Sequence, residues 1–445
     1  MVSTKLGKIK GLQCDGYTVY KGIPYAKPPV GELRWKAPVE VEKWEGVYEA
    51  TDYKSKCPQE EVSPDAPWGS FYYKEFYANK EYNVPMSEDC LYLNIWVPDN
   101  AKGKKLPVAF WIHGGGFSGG YNCEMEFDGE AYCRKDVILV TINYRVNIFG
   151  FLAHPWLDAE NERGISGNYG ILDQIAALKW VRDNIDAFGG DPDNITVFGQ
   201  SAGSMSAQVL TSSPLTEGMI GQAILQSGIA VEGDILYTPT LEEEEKIGEL
   251  FVEATGAKDI EELRSMSWQQ LLEAKKKFDG KAMALGHGLC LVPNVDGYLL
   301  EDTVKDIYKK GAFHKVPYML GSVIDDLGCN PEGVAKMEPG PLCKENEAFA
   351  VKCNEVGTKG FVYYMPHILH DEDGKYKPCF HSGELWYTFG TLDRCWREMD
   401  EKDHEVSKEM INCWTSFMKT GEPVSDESEW PAYTKENRYK KIFSR

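Results

Sequence analysis

Short apolar runs alternate with helical patterns through the middle of the chain. Apolar, β-branched and aromatic runs predict buried strands at residues 106–112, 137–144, 195–198, 220–228, 316–326 and 360–366. Apolar positions at 171, 172, 175, 178, 181 and 185 recur with helical spacing and predict a helix that Gly189 closes. This alternation favours an α/β fold with a mostly parallel sheet, which binds ligands beyond the carboxyl ends of its strands.

The flanking regions carry different patterns. Residues 1–50 are rich in glycine and proline and predict strands and ordered loop, whereas residues 230–290 are charged and helical. Residues 328–347 have a loop-like pattern, 360–366 predict the last core strand, and 384–419 predict helix. We expect a single domain over residues 1–445, in which 230–290 and 329–375 are helical or loop insertions that form a cap or a pocket wall.

Composition narrows the class of protein. The net charge of −21 argues against non-specific binding to nucleic acid, and it is more typical of a solubilising surface than of a device that attracts cationic substrates. The 12 cysteines are scattered without a C-x-x-C pair, so we expect no metal site and no cofactor. No signal peptide is visible and the apolar runs are too short to span a bilayer, which predicts a cytoplasmic protein.

Ser201 lies in the pattern G-x-S-x-G, between a predicted strand at 195–198 and a predicted helix from Ala202 onward. A sharp strand-to-helix turn would expose its hydroxyl at the end of the sheet, and the glycines two residues away on each side would relieve the clash with the crossing backbone. The same pattern also surrounds Ser118, but no helix pattern follows there. We therefore expect Ser201 to be the nucleophile.

A serine hydroxyl needs a general base, and the base needs an orienting acid. In folds of this kind the acid and then the histidine follow the serine along the chain. Here Asp325 and Asp326 end the predicted strand at 316–326, and three histidines follow in one predicted loop, at positions 367, 370 and 381. The glycine run at 114–116 follows another strand, and its backbone N–H groups could converge on an oxyanion.

Several further motifs resemble the carboxylesterase type-B family of the α/β-hydrolase superfamily, above all its bacterial carboxylesterases and para-nitrobenzyl esterases. The matching segments appear in family order and cover most of residues 1–230, 290–328 and 376–435. They are GIPYAKPPVGELR at 22–34, SEDCLYLN at 87–94, HGGGF at 113–117, NYR at 143–145, GNYGILDQ at 167–174, FGGDP at 188–192, FGQSAG at 198–203, HSGEL at 381–385 and TGEP at 420–423.

The resemblance implies a role for each matching residue. The triad would be Ser201, His381 and Asp326, although Asp326 replaces the usual glutamate and Asp325 is the alternative acid. The remaining roles would be the oxyanion hole (Gly115, Gly116, Ala202), the surroundings of the triad (Gln200, Ser227), a disulfide (Cys57 with Cys90) and two ion pairs (Arg34 with Glu88, Arg145 with Asp173). Free thiols at 57 and 90 are an equal alternative in a cytoplasmic protein. The segment from 328 to 381 is shorter than in relatives, which implies a reduced helical cap.

The resemblance therefore implies a serine carboxylic-ester hydrolase that acts through an acyl-enzyme. Gln200 stands where many relatives carry glutamate, which turns the prediction away from cationic choline esters. Aromatic residues at 68, 71–73, 76, 77 and 82 form either one packed helix face or a pocket rim, and the second interpretation favours small acyl or aryl esters. The alternatives are a catalytically silent adhesion or binding protein on the same fold, and an amide or carbamate hydrolase.

Overall fold

The computed structural model describes residues 1–65, 69–233, 237–286, 289–424 and 429–444. These residues form fifteen strands: β1 (Val2–Ser3), β2 (Lys8–Lys10), β3 (Leu12–Gln13), β4 (Tyr17–Pro24), β5 (Val47–Glu49), β6 (Tyr92–Pro98), β7 (Leu106–Ile112), β8 (Ile138–Ile142), β9 (Gly190–Gln200), β10 (Gln222–Gln226), β11 (Tyr318–Val323), β12 (Gly360–Met365), β13 (Ile368–His370), β14 (Tyr376–Pro378) and β15 (Lys441–Ile442).

The described residues also form fourteen α-helices. They are α1 (Gly69–Tyr72), α2 (Glu130–Cys133), α3 (Asn147–Phe151), α4 (Pro155–Asp158), α5 (Tyr169–Asn184), α6 (Ala202–Leu210), α7 (Leu241–Thr255), α8 (Ile260–Ser265), α9 (Trp268–Ala284), α10 (Val304–Lys310), α11 (Pro331–Ala335), α12 (Pro341–Glu355), α13 (Leu385–Phe389) and α14 (Glu401–Thr420). A π-helical turn, Tyr73–Tyr77, extends α1.

The central sheet has ten strands in the order β15-β12-β11-β10-β9-β7-β8-β6-β4-β3. Its neighbours pair in parallel from β15 to β8, and β6, β4 and β3 add antiparallel pairs at the other edge. The prediction of a mostly parallel sheet flanked by helices is confirmed.

Strand β7 illustrates why the sheet is covered on both faces. All seven of its residues are buried. Val108, Phe110 and Ile112 belong to one hydrophobic core, and the alternate residues Ala109 and Trp111 belong to a second core. Because successive side chains point to opposite faces, a continuous apolar run of this kind requires helices on both sides of the sheet.

The sheet order brings the predicted site residues to one edge. Strands β11, β10, β9 and β7 are neighbours. Their carboxyl ends are Val323, Gln226, Gln200 and Ile112. Parallel strands end at the same edge of a sheet, so the segments that follow these four strands lie close together.

Two expectations about the later part of the chain are wrong. Residues 328–347 are not simply loop, because they contain α11 and the start of α12. Each of these helices begins with a proline, which is compatible with the first helical position since no hydrogen bond from that N–H is needed. Strand β12 is not the last core strand, because β15 pairs in parallel outside it. A two-residue strand has too few positions to produce a detectable pattern.

The helical character of 230–290 is confirmed by α7, α8 and α9. The segment after β10 contacts α12, where Glu345 accepts hydrogen bonds from the backbone N–H groups of Val231, Glu232 and Gly233, at 2.7, 2.8 and 2.9 Å. The segment that leaves β10 is therefore attached directly to α12.

Both expected ion pairs are present and buried. Arg34 makes two contacts of 2.6 Å with Glu88, and Arg145 makes two contacts of 2.7 Å with Asp173. Such bidentate pairs compensate the cost of burying the charges and fix the loops that carry them.

In the part of the chain that the structure describes, no helix combines the length and the apolar composition needed to cross a bilayer.

Candidate active site

Ser201 sits in a strained turn between β9 and α6. Its backbone has φ 56° and ψ −126°, and its N–H donates to the carbonyl of Gln226 at 2.9 Å. A Cβ at Gly203 would lie 2.0 Å from the carbonyl oxygen of Ile112, and one at Gly199 would lie 2.4 Å from the backbone of Gly203. Only glycine fits at these positions. Backbone strain of this kind is expected of a nucleophile elbow.

The glycine run after β7 passes beside this turn. A Cβ at Gly114 would lie 3.2 Å from the Cβ of Ser201. Gly115 and Gly116 follow with φ angles of 102° and 60°. Within the described residues, the backbone N–H groups of Gly115, Gly116 and Ala202 donate to no protein acceptor. Three N–H groups near one serine can therefore hold an oxyanion.

His381 and Asp326 form a short hydrogen bond, with 2.6 Å between His381 Nδ1 and Asp326 Oδ1. The other carboxylate oxygen of Asp326 accepts from the Ser227 hydroxyl at 2.7 Å and from the N–H of Val323 at 3.0 Å. The neighbouring Asp325 instead uses its backbone, which pairs with Phe380 in a parallel β-bridge. The structure thus brings the carboxylate of Asp326, and not that of Asp325, to the imidazole, and its role as the triad acid stays a prediction.

The charges around His381 favour its protonated form. Burial lowers the pKa of the imidazole, but the hydrogen bond and charge of Asp326, with the charge of Glu384, outweigh burial and raise the pKa above its usual value. A base stabilised in this way can hold the proton that it takes from a nucleophile. The other two histidines lie elsewhere: His367 contacts Asp403 at 2.7 Å and His370 contacts Asp400 at 3.3 Å.

Gln200 lies between the serine turn and the histidine loop. Its amide nitrogen is 3.4 Å from Nε2 of His381, and its amide oxygen accepts from the Ser382 hydroxyl at 3.2 Å. Among the described residues, the Ser201 hydroxyl makes no hydrogen bond, which is common for a nucleophile without bound substrate.

Sequence reasoning missed Glu384 as part of this network. Its carboxyl is fully buried, and it lies 3.2 Å from the Ser227 hydroxyl that also serves Asp326. Burial, and then the charge of Asp326, raise the pKa of Glu384 to about 7. The signal was present, since Glu384 belongs to the HSGEL segment at 381–385, but spacing alone gave it no partner.

Sequence reasoning also missed the contacts between the histidine loop and the aromatic segment formed by α1 and the π-helical turn. The Tyr72 hydroxyl donates to the backbone carbonyl of His381 at 3.2 Å, and Phe71 packs edge-on against Phe380 with 4.7 Å between ring centroids. Phe76 is buried and stacks on Trp386. The segment therefore holds the histidine loop. Trp68, which the sequence analysis grouped with these aromatics, lies outside the described residues.

Gln59 supports the glycine run from another direction. Its amide oxygen accepts from the N–H of Gly120 at 2.7 Å, and its amide nitrogen donates to the Gly120 carbonyl at 3.1 Å. Ser118 lies in the turn of this run, where its N–H donates to the Gly115 carbonyl at 3.0 Å. Its position in a glycine turn, without a following helix, agrees with its rejection as nucleophile.

Two further clusters contain residue types that can bind a metal ion or form a disulfide. In the first cluster, ligand atoms of His370, Asp400 and Asp403 lie within 4.8 Å of one another. His370 already contacts Asp400, and the Asp400 side chain caps the start of α14. Cys57 and Cys90 are buried and unbridged in the structure, and the hydrogen bond between the two thiols, followed by burial, raises the pKa of Cys90 well above its usual value. A disulfide between them stays a prediction.

Comparison with known proteins shows the family of the chain. The model of the carboxylesterase family matches residues 1–338 and 342–444. The chain belongs to the carboxylesterase family. It is accordingly a carboxylic ester hydrolase of the α/β-hydrolase fold.

Individual carboxylesterases resemble the chain along most of its length. Para-nitrobenzyl esterase of Bacillus subtilis is 34% identical over 98% of this chain and 93% of its own length. Carboxylesterase 1D of Mus musculus is 31% identical over 99% of this chain and 89% of its own. Among solved structures, a thermophilic PNB esterase aligns with a TM-score of 0.83 and 33% identity, over 100% of this chain and 95% of that one.

Proposed function

We propose that this carboxylesterase hydrolyses esters of small acyl or aryl groups, with Ser201 as nucleophile, His381 as general base and Asp326 as the orienting acid. One observation carries the proposal: a strained serine, three backbone N–H groups that donate to no acceptor among the described residues, and a hydrogen-bonded His–Asp pair lie at one edge of the sheet.

In the first half-reaction the Ser201 hydroxyl attacks the ester carbonyl while Nε2 of His381 takes its proton. The oxyanion of the tetrahedral intermediate accepts hydrogen bonds from Gly115, Gly116 and Ala202. His381 then protonates the departing alcohol and leaves an acyl-serine. Water, activated by His381, cleaves the acyl-serine and restores the enzyme.

Asp326 is one methylene shorter than the glutamate it replaces, so the acid loop and the histidine loop must lie closer together. The β-bridge between Asp325 and Phe380 holds the two loops together, and the His381 N–H also donates to the Asp325 carbonyl at 2.9 Å. The 2.6 Å contact between the two side chains is the result.

The decisive test is the pair Ser201→Ala and Ser118→Ala, assayed with p-nitrophenyl acetate and butyrate. We expect Ser201→Ala to lower kcat by on the order of 10⁶ and Ser118→Ala to retain most of the wild-type rate. Wild-type turnover by Ser201→Ala would overturn the proposal.

The alternative functions require different outcomes. A fluorophosphonate probe should label Ser201 covalently, whereas a catalytically silent binding protein would remain unlabelled. Matched ester and amide substrates separate ester hydrolysis from amide or carbamate hydrolysis, and we expect the ester to be preferred by at least about 10²-fold since an amine leaves with more difficulty.

Aromatic side chains beside the histidine loop bear on the substrate class. Phe71 and Tyr72 lie next to the histidine loop, which favours aryl or small acyl groups in the neighbouring space. A panel of p-nitrophenyl esters should give its highest kcat/KM with short acyl chains, and an optimum above about ten carbons would contradict this expectation. The cytoplasmic location remains a prediction from the sequence.

A further inference from the structure

The side-chain amide of Gln200 occupies a position that the catalytic cycle itself needs. Its nitrogen lies 3.4 Å from Nε2 of His381, the atom that must accept the proton of Ser201. Gln200 is almost completely buried, with 2% of its surface exposed, so water does not replace this contact freely. Its amide oxygen is engaged by the Ser382 hydroxyl on the same loop as His381.

The contact is selective for one protonation state of the imidazole. Nδ1 of His381 faces the Asp326 carboxylate at 2.6 Å and therefore carries a proton. A neutral ring then has its lone pair on Nε2, where the N–H of the Gln200 amide can donate to it. A protonated ring would place an N–H against an N–H. A hydrogen bond to the neutral form disfavours the charged form.

The Gln200 contact favours the neutral imidazole, whereas the acidic groups around His381 favour the charged one. Asp326 and Asp325 from the loop after β11 and Glu384 beside α13 are acidic groups, and Tyr72 contributes its hydroxyl from the aromatic segment. The charges of Asp326 and Glu384 favour the imidazolium, and an imidazolium cannot act as the base in the first step. Gln200 is the neutral donor on the opposite side of the ring.

We propose that Gln200 is a positioning residue that favours the neutral, Nδ1-protonated form of His381 in the free enzyme, against the surrounding carboxyl groups, and thereby extends turnover to lower pH. This inference rests on the proposed role of His381 as general base. When substrate binds, the Ser201 hydroxyl shares or takes over the lone pair that Gln200 holds in the free enzyme.

The first test is the pH profile of kcat/KM for p-nitrophenyl acetate in wild type and three variants. Gln200→Glu replaces the donor by an acceptor for the imidazolium, and we expect the acid limb to move up by roughly one pH unit or more. Gln200→Met keeps the volume without the donor and should move the limb up by a few tenths of a unit. Ser382→Ala releases the amide oxygen and should shift the limb in the same direction by less.

The control is the shape of the profile. A lower rate at every pH with an unmoved acid limb in both Gln200 variants would mean that Gln200 only supports the fold, and it would overturn the inference. A downward shift in Gln200→Met would overturn it as well, because it would mean that the amide oxygen faces the imidazole.

The second test reads the imidazole without turnover. In protein labelled with ¹⁵N-histidine, the signal lost in His381→Gln identifies His381 among the 8 histidines. We expect its nitrogen shifts in wild type to report a neutral ring protonated on Nδ1, and its titration to move upward in Gln200→Glu. A ring protonated on Nε2 would contradict the inference. If this titration behaves as expected but wild type neither hydrolyses esters nor reacts with a fluorophosphonate, the proposed function fails instead.

Discussion

The serine turn and the histidine loop reach the same site by different physical means. The serine turn is fixed by its own backbone, because Gly199 and Gly203 leave no room for a side chain and Ser201 adopts a positive φ. The histidine loop is held by distant side chains. Tyr72 reaches the His381 carbonyl from a point 309 residues earlier in the chain.

This difference separates positions that tolerate no side chain from positions that need a particular one. Close backbone packing stores strain that the rest of the fold must support, so its failure disturbs the whole site. A loop held by several separate contacts can lose one and keep most of its geometry.

Gly203→Ala should break the serine turn. Its Cβ would lie 2.0 Å from the carbonyl oxygen of Ile112, which is backbone and cannot rotate away. We expect the free energy of unfolding to fall by more than about 3 kcal/mol and kcat/KM to fall by more than about 10³-fold. The matched control is Gly280→Ala in α9, where a Cβ meets nothing within 4 Å, and it should raise stability by about 0.5–1 kcal/mol. Equal effects of the two changes in urea unfolding would contradict the comparison.

Ser227→Ala tests the support behind the acid. The variant removes a donor to Asp326 at 2.7 Å and leaves two buried carboxyl groups without their shared hydroxyl. We expect kcat to fall by roughly tenfold, with a smaller change in KM, because a lost hydrogen bond to a charged group costs about 1.5–3 kcal/mol. Ser322→Ala is a suitable control, since the hydroxyl of Ser322 is buried without a partner within the described residues.

Glu384→Gln tests the neighbouring carboxyl through stability. The folded-state pKa of Glu384 is raised from 4.5 to about 7. The protonated carboxyl therefore contributes fully to the free energy of unfolding below the pKa of the unfolded state, and this contribution is lost as the pH rises through about 7. Gln stays neutral at all pH values. We expect wild type to lose about 1–3 kcal/mol relative to Glu384→Gln between pH about 5 and about 8, measured by urea unfolding at each pH. A constant difference across this interval would count against the raised pKa.

Tyr72→Phe should have the smallest effect. It removes one hydrogen bond of 3.2 Å to the His381 carbonyl while the ring keeps its packing against Phe76 and Phe380. We expect kcat to fall about threefold and stability to fall by about 1 kcal/mol. Tyr72→Ala, which also removes the ring, should cost more in both measurements. A loss as large as that of Gly203→Ala would mean that the histidine loop depends on a single contact.

The same difference explains what the sequence could predict. Ser201, the glycine run and the sheet are local patterns, since a sharp turn requires glycine and a buried strand requires a continuous apolar run. The choice between Asp325 and Asp326 depends on which of two adjacent residues turns its carboxylate inward, and adjacent identical residues have no difference in pattern. Tyr72 and Gln59 act through contacts between remote segments, which the sequence does not encode at any fixed spacing.

The three hydrogen bonds to Glu345 have a consequence for local unfolding. The amide protons of Val231, Glu232 and Gly233 all depend on one side chain of α12. Their exchange with solvent deuterium should therefore follow the opening of a helix more than a hundred residues away, and not that of their own segment alone. Deuterium exchange at residues 231–233 thus shows whether the segment after β10 opens together with α12 or independently of it.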